Sequence, residues 1–136
     1  VVLCLVDDLK PFGKKSITYA IEDSINTNVN DGVTYYKELK ENKPEVYDFS
    51  DENSLNSLGY RVLRSGDTQG AIKIFTLNTE EFPESSNPFD SLGEAYLEEG
   101  NYQMALKNYK KALSLDPNAT NAKEMITKIE ALVNAS

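Results

Sequence analysis

A period of 34 residues runs through the second half of the chain and constrains its architecture more than any single residue does. Residues 52–85 align with residues 86–119 without a gap. A unit of this length forms one helical hairpin that cannot bury its apolar face alone, so such units stack against one another. The stack presents a docking surface more often than a catalytic pocket. The paired positions are Leu58 and Leu92, Gly59 and Gly93, Gly66 and Gly100, Ala71 and Ala105, Phe75 and Tyr109, and Pro83 and Pro117.

Each unit has the residue spacing of two amphipathic helices. In residues 86–119, Phe89, Leu92 and Tyr96 recur at spacings of three and four, and Gly100 ends this first helix. A second helix is predicted over Tyr102–Leu115. The two helices are predicted to be antiparallel and to lie close together at small residues.

Small residues mark where the two helices of a hairpin approach each other. Gly93 and Ala105 fall at the predicted point of closest approach, and a larger side chain at either position would push the backbones apart. Tyr96 and Tyr109 are then available to fill the space beside them.

This pattern resembles the tetratricopeptide repeat family, whose signature is a bulky residue, leucine-glycine, an aromatic residue, then alanine, an aromatic residue and proline. The resemblance implies an all-α fold, a right-handed superhelix of antiparallel helical hairpins with a C-terminal capping helix and a short extended N-terminal segment. One copy reads Phe89-x2-Leu92-Gly93-x2-Tyr96, Ala105-x3-Tyr109, Ala112 and Pro117; the other reads Leu55-x2-Leu58-Gly59-x2-Val62, Ala71-x3-Phe75 and Pro83.

A third, degenerate unit is predicted upstream at an offset of 39 residues, which relates Ala20, Gly32, Tyr36 and Pro44 to Gly59, Ala71, Phe75 and Pro83. The longer offset implies five additional residues after Pro44, within residues 46–51. The predicted organisation is an extended apolar segment and linker at 1–12, a degenerate hairpin with an insertion at 13–51, repeat units at 52–85 and 86–119, and a capping helix at 120–136.

The first twelve residues do not fit the repeat. Val1–Val6 is continuous and rich in β-branched residues, which favours a buried strand. Such a strand needs a partner, either the sheet of a larger parent protein or a second copy of this chain in a homodimer. The order of elements, with Tyr47-Asp48-Phe49-Ser50 and Leu58-Gly59-Tyr60, also resembles the C-terminal extension of bacterial serine hydrolases similar to β-lactamases and esterases.

Composition argues against several function classes. The net charge of −8, from 14 basic and 22 acidic residues, disfavours nucleic acid as a partner. The longest apolar run is far shorter than a membrane span requires, so no membrane span is predicted. The sequence has no histidine, no Ser-x-x-Lys and no Gly-x-Ser-x-Gly motif, so we predict no catalytic residues, no metal and no cofactor.

The remaining candidate site is the inner surface that the resemblance assigns to the first helix of each unit. The spacing of Asp90, Glu94 and Glu98 by four puts three carboxylates on one side of a helix, a stripe that favours a basic partner. The predicted partner-binding groove comprises Asn53, Asn56, Tyr60, Leu63, Arg64, Asn87, Asp90, Glu94, Leu97, Glu98, Asn121, Glu124 and Lys128.

A second candidate surface is apolar. Ile17, Ile21 and Ile25 recur every four residues, and the offset of 39 places them on the inner face of the degenerate unit. Exposed isoleucines would form a docking face that Val1–Val6, a parent domain or a second chain covers.

The sequence thus predicts a non-enzymatic module that binds a protein or peptide through its concave face. The alternative is an accessory C-terminal domain of a serine hydrolase, serving dimerisation or packing on the catalytic domain. A free-standing binding module implies a cytoplasmic location, whereas an accessory domain of a serine hydrolase implies a periplasmic or secreted one.

Overall fold

The computed structural model describes residues 13–135, and these residues form seven helices and one pair of two-residue strands. This confirms the predicted all-α fold. The extended segment predicted at residues 1–12 lies outside the described residues. The chain divides into two compact units, with the boundary between residues 51 and 52. No helix within residues 13–135 combines the length and apolar character needed to cross a bilayer.

The first unit contains two helices and a short parallel strand pair. Strand β1 (Lys15–Ser16) leads into helix α1 (Ile17–Thr27), and helix α2 (Val29–Asn42) leads to strand β2 (Tyr47–Asp48). The strands pair Lys15 with Tyr47 and Ser16 with Asp48. The predicted insertion after Pro44 therefore contains β2, a contact between distant residues that no local pattern indicated.

Side chains cap both helices of this first unit. Ser16 accepts a hydrogen bond from the Tyr19 amide (3.3 Å), and Asn28 accepts one from the Asp31 amide (3.3 Å). These bonds satisfy amide groups that a helix start leaves without partners. Asn28 is also the single residue between α1 and α2, so the first hairpin turns within an unusually short linker.

The second unit contains five helices, each packed on the next along the chain. They are α3 (Glu52–Arg64), α4 (Thr68–Glu81), α5 (Ser86–Glu99), α6 (Tyr102–Leu115) and α7 (Thr120–Ala135). Gly66 (φ 96°) follows α3 and Gly100 (φ 86°) follows α5, both in the left-handed region that glycine adopts without strain. The pairing of Gly66 with Gly100 in the sequence thus corresponds to a shared turn between the helices of a hairpin.

The predicted apolar docking face at Ile17, Ile21 and Ile25 is wrong, because these side chains are only 2%, 0% and 3% exposed and belong to the core. The cause is the one-residue linker at Asn28, where the second unit has three residues between α3 and α4. The start of α2 lies 39 residues before the start of α4, but the end of α1 lies 37 residues before the end of α3. A shift of two residues turns a helix by about 200°, which moves the isoleucines from the predicted surface to the interior.

Glycine allows the two helices of each hairpin to approach closely. A Cβ atom at Gly59 would lie 2.4 Å from Cε1 of Phe75, and one at Gly93 would lie 3.1 Å from the Tyr109 ring. Both rings are buried, and the Phe75 ring is further held in an edge-to-face contact with Tyr60 at a centroid distance of 5.0 Å. The same repeat position is therefore more tightly packed in the first hairpin of this unit than in the second.

This difference predicts unequal effects of two matched substitutions. Gly59→Ala should lower the free energy of unfolding by about 1–2 kcal/mol, because the overlap with Phe75 exceeds the helix-propensity gain of alanine. Gly93→Ala should change it by less than about 0.5 kcal/mol, because a small movement of Tyr109 accommodates the methyl group. Urea unfolding followed by circular dichroism measures both values. Equal destabilisation by the two substitutions would contradict this account.

Candidate partner-binding groove

The candidate site lies on α3, α5 and α7, and we call the surface formed by the predicted residues on these helices the groove. Because the repeat period is 34 residues, equivalent positions of α3 and α5 come to lie side by side. The Tyr60 hydroxyl on α3 donates a hydrogen bond to Oε2 of Glu94 on α5 at 2.5 Å, and these two residues are 34 apart. The period therefore produces contacts across the groove as well as the repeated hairpins.

A second connection between α3 and α5 passes through Ser91. Its hydroxyl donates to Oδ1 of Asn56 at 2.6 Å, and the Tyr60 hydroxyl lies 3.2 Å from the Ser91 hydroxyl. Ser91 is buried, with 2% of its surface exposed. A buried hydroxyl with partners on two sides fixes the neighbouring polar side chains more firmly than solvent-exposed contacts would.

The network continues from α5 to α7. The side-chain amide of Asn121 on α7 donates a hydrogen bond to Oδ1 of Asp90 at 2.7 Å. Burial raises the pKa of Asp90, the bond from Asn121 opposes the shift, and the negative charge of Glu94 adds to it. The groove therefore contains two neighbouring carboxyl groups, those of Asp90 and Glu94, and the charged form of Asp90 is disfavoured.

Two phenol rings lie beside these carboxyl groups. Burial raises the pKa of Tyr60, and its hydrogen bond to Glu94 raises it further. Burial also raises the pKa of Tyr109, with additional contributions from the charges of Asp90 and Glu94. Gly93 admits the Tyr109 ring to within close contact of α5, so the packing that shapes the hairpin also brings a neutral ring beneath the acidic part of the groove.

The structure thus brings together five of the predicted groove residues: Asn56, Tyr60, Asp90, Glu94 and Asn121. Arg64 places its guanidinium 5.7 Å from the centroid of the Tyr60 ring, within the range of a cation–π contact. Leu63, predicted to face the groove, is buried at 7% exposure and packs in the core instead, whereas Leu97 is half-buried against the core cluster around Tyr109. The other predicted residues are exposed, namely Asn53, Asn87, Glu98, Glu124 and Lys128.

Sequence reasoning missed Ser91 and the role of Tyr109 in the groove. Ser91 precedes Glu94 by three residues and Glu98 by seven, which puts all three on one helical face, so the spacing held a usable signal. Tyr109 carried no such signal, because its pattern is that of a core residue and its effect on the groove depends on packing across the hairpin.

Comparisons with known proteins agree with this architecture. Residues 91–119 match the model of the tetratricopeptide repeat family. Superkiller complex protein 3 of Mus musculus is 32% identical over 75 residues, which cover 55% of this chain and 5% of that protein's length.

Solved structures share the fold at low sequence identity. The first tetratricopeptide domain of Spaghetti (RPAP3), bound to the HSP90 peptide SRMEEVD, superposes with a TM-score of 0.61 at 16% identity, covering 91% of this chain and 98% of that one. MamA superposes with a TM-score of 0.62 at 17% identity, covering 87% and 67%. These matches do not bear on the resemblance to serine hydrolase extensions, which stays a hypothesis.

The repeat signature, the family match over residues 91–119 and the helical hairpins together show a tetratricopeptide-repeat fold.

Proposed function

We propose that this chain is a non-enzymatic interaction module that binds a basic segment of a partner protein in the groove. The observation that carries the proposal is the pair Asp90 and Glu94, held by Asn121 and Tyr60 in a partly buried site across three helices. A lysine or arginine side chain placed between the two carboxyl groups would compensate for their mutual repulsion and lost hydration. The charge of the surrounding groove has the same sign, since four of the thirteen predicted groove residues are acidic and two are basic.

The chemistry of a known ligand sharpens the proposal. The peptide SRMEEVD, which the tetratricopeptide domain of Spaghetti binds, is acidic at its C-terminal end. Carboxylates brought against Asp90 and Glu94 would add repulsion to a site where burial already disfavours negative charge. This groove therefore suits a ligand of opposite charge to that peptide.

Peptide binding tests the charge preference directly. The peptide SRMKKVK, in which lysine replaces the three acidic residues, should bind the full chain in a saturable manner. Its dissociation constant should be at least about tenfold lower than that of SRMEEVD, because its net charge is opposite to that of Asp90 and Glu94. Fluorescence anisotropy of labelled peptides gives both constants. Equal or tighter binding of SRMEEVD would refute the proposed charge preference.

A pair of matched triple variants locates the binding surface. Asp90→Lys, Glu94→Lys and Glu98→Lys together should abolish binding of SRMKKVK, because they reverse the acidic stripe. The control replaces the exposed acids Glu41, Glu80 and Glu84, which lie outside α3, α5 and α7, with lysine and changes the net charge by the same amount. Since surface charges far from a ligand are largely screened by salt, the control should bind nearly as the parent chain does. Loss of binding in both variants would show only a general charge effect.

The charge of Asp90 should favour binding of a basic ligand and lower the stability of the folded chain. The raised pKa of Asp90 means that the folded protein keeps this proton to higher pH than the unfolded chain does, so stability falls as pH rises from the unfolded value, about 3.9, through the folded one. Asp90→Asn keeps an acceptor for Asn121 and removes the charge. It should raise the melting temperature at pH 7 while weakening binding of SRMKKVK by about tenfold.

The pH dependence and a neighbouring acid provide the controls for Asp90→Asn. Its stability advantage should disappear in acid, where Asp90 of the parent chain is itself protonated. Glu98→Gln on the same helix removes an exposed charge and should leave the melting temperature nearly unchanged. A melting temperature below that of the parent for Asp90→Asn at pH 7 would contradict the stated cost of burying this carboxyl.

A further inference from the structure

A second surface of unusual chemistry lies within residues 13–51. A cleft of about 580 Å³ opens there, and we call it the tyrosine cleft. Its size falls within the range of binding clefts for small ligands and peptide segments. The lining residues are Lys15, Ser16, Tyr19, Ala20, Asp23, Tyr35 and Tyr47.

Aromatic exposure distinguishes this cleft from an ordinary surface. Tyr19 is 82% exposed and Tyr35 is 37% exposed, although burying a tyrosine ring removes a large apolar area from water. The three rings come from different elements, since α1 carries Tyr19, α2 carries Tyr35 and β2 carries Tyr47. The strand pairing of Lys15 with Tyr47 is what brings the third ring to the cleft.

Ala20 has the smallest side chain in the lining of the cleft. It lies on α1 one residue after Tyr19 and contributes only a methyl group to the lining. A cleft lined by aromatic rings and a small side chain can accept flat or compact apolar groups.

The charges of the cleft exclude strong electrostatic selection. Its lining contains one basic residue, Lys15, and one acidic residue, Asp23. A polyanion such as a nucleic acid would find no net positive surface, and a multiply basic peptide would find no net negative one. Recognition must then depend on ring packing and on hydrogen bonds from the tyrosine hydroxyl groups.

We propose that the tyrosine cleft binds an extended proline-rich segment of a partner protein in the polyproline II conformation. Proline rings pack well on aromatic faces, and the carbonyl groups of this helix have no internal hydrogen bonds, so they are free to accept from tyrosine hydroxyls. The segment is already extended in solution, which lowers the entropy lost on binding.

A polyproline peptide tests the proposal with the full chain. A labelled peptide on the order of ten prolines should bind in a saturable manner, whereas a Gly-Ser peptide of the same length should not. Fluorescence anisotropy gives the dissociation constants. Tyr19→Ala should weaken binding about tenfold, because it removes the most exposed ring of the cleft. Tyr102→Ala, which removes an exposed tyrosine at the start of α6, is the matched control and should have no effect.

Other occupants give different results. Absence of saturable binding by the polyproline peptide, or equal binding to the Tyr19→Ala variant, overturns the proposal. So does self-association of the parent chain that Tyr19→Ala abolishes, since the occupant is then a second copy. A synthetic peptide of residues 1–12 that binds in a Tyr19-dependent manner while polyproline does not would identify the chain's own segment as the occupant instead.

This test is independent of the proposed function of the groove. The triple lysine variant at Asp90, Glu94 and Glu98 should bind the polyproline peptide as the parent chain does. Conversely, Tyr19→Ala should leave binding of SRMKKVK unchanged. Loss of one activity with retention of the other assigns each peptide to its own surface.

Discussion

The close approach of paired helices at Gly59 and Gly93 is the contact on which the second unit depends. With no side chain at these positions, the rings of Phe75 and Tyr109 lie directly against the facing helix. This fixes the separation within each hairpin, and the period of 34 residues then repeats the same geometry at the next hairpin. Because α3 and α5 are first helices in successive hairpins, their equivalent residues meet, and the groove is a consequence of this packing.

The groove combines polar contacts that stabilise its geometry with charges that do not. Tyr60, Ser91 and Asn56 satisfy one another across α3 and α5, and a satisfied buried network specifies a single arrangement of its side chains. Asp90 differs, because burial and Glu94 both disfavour its charged form. Such local cost is characteristic of positions that gain their favourable interaction from a partner. The network therefore holds in place an acid that contributes little to stability by itself.

The sequence predicted the helices of residues 52–119 because two aligned copies supply the same information twice. For the same reason, Tyr60 and Glu94 were assigned to one candidate surface from their positions in the repeat, and the structure brings their side chains into contact. The degenerate unit had no second copy at its own spacing, so one offset of 39 was applied to both of its helices. The one-residue linker at Asn28 invalidated that assumption for α1, and a helix shifted by two residues presents nearly its opposite face.

Contacts between distant residues could not be predicted in this way. The pairing of β1 with β2 depends on an insertion that has no counterpart in the other units. The spacing of Ser91 from Glu94 placed it on the face of the groove, but spacing alone did not show that Ser91 connects Asn56 with Tyr60. Periodicity identifies which face of a helix a residue occupies. It does not identify which polar atoms on a neighbouring helix will form hydrogen bonds with that residue.

Asn78 shows how the start of α3 is held at the edge of the groove by a bond that carries a cost. The repeat has alanine at the equivalent position, Ala112, yet Asn78 is fully buried and its amide donates to the carbonyl of Glu52 at 3.0 Å. The Glu52 side chain also accepts from Ser85 at 2.7 Å, so the first residue of α3 is fixed from two directions. Within the described residues, Oδ1 of Asn78 has no hydrogen-bond partner, which costs about 1–3 kcal/mol. Alanine would avoid that cost and lose the bond. The asparagine therefore favours a defined position for α3, and with it the alignment of Asn56 and Tyr60 towards α5.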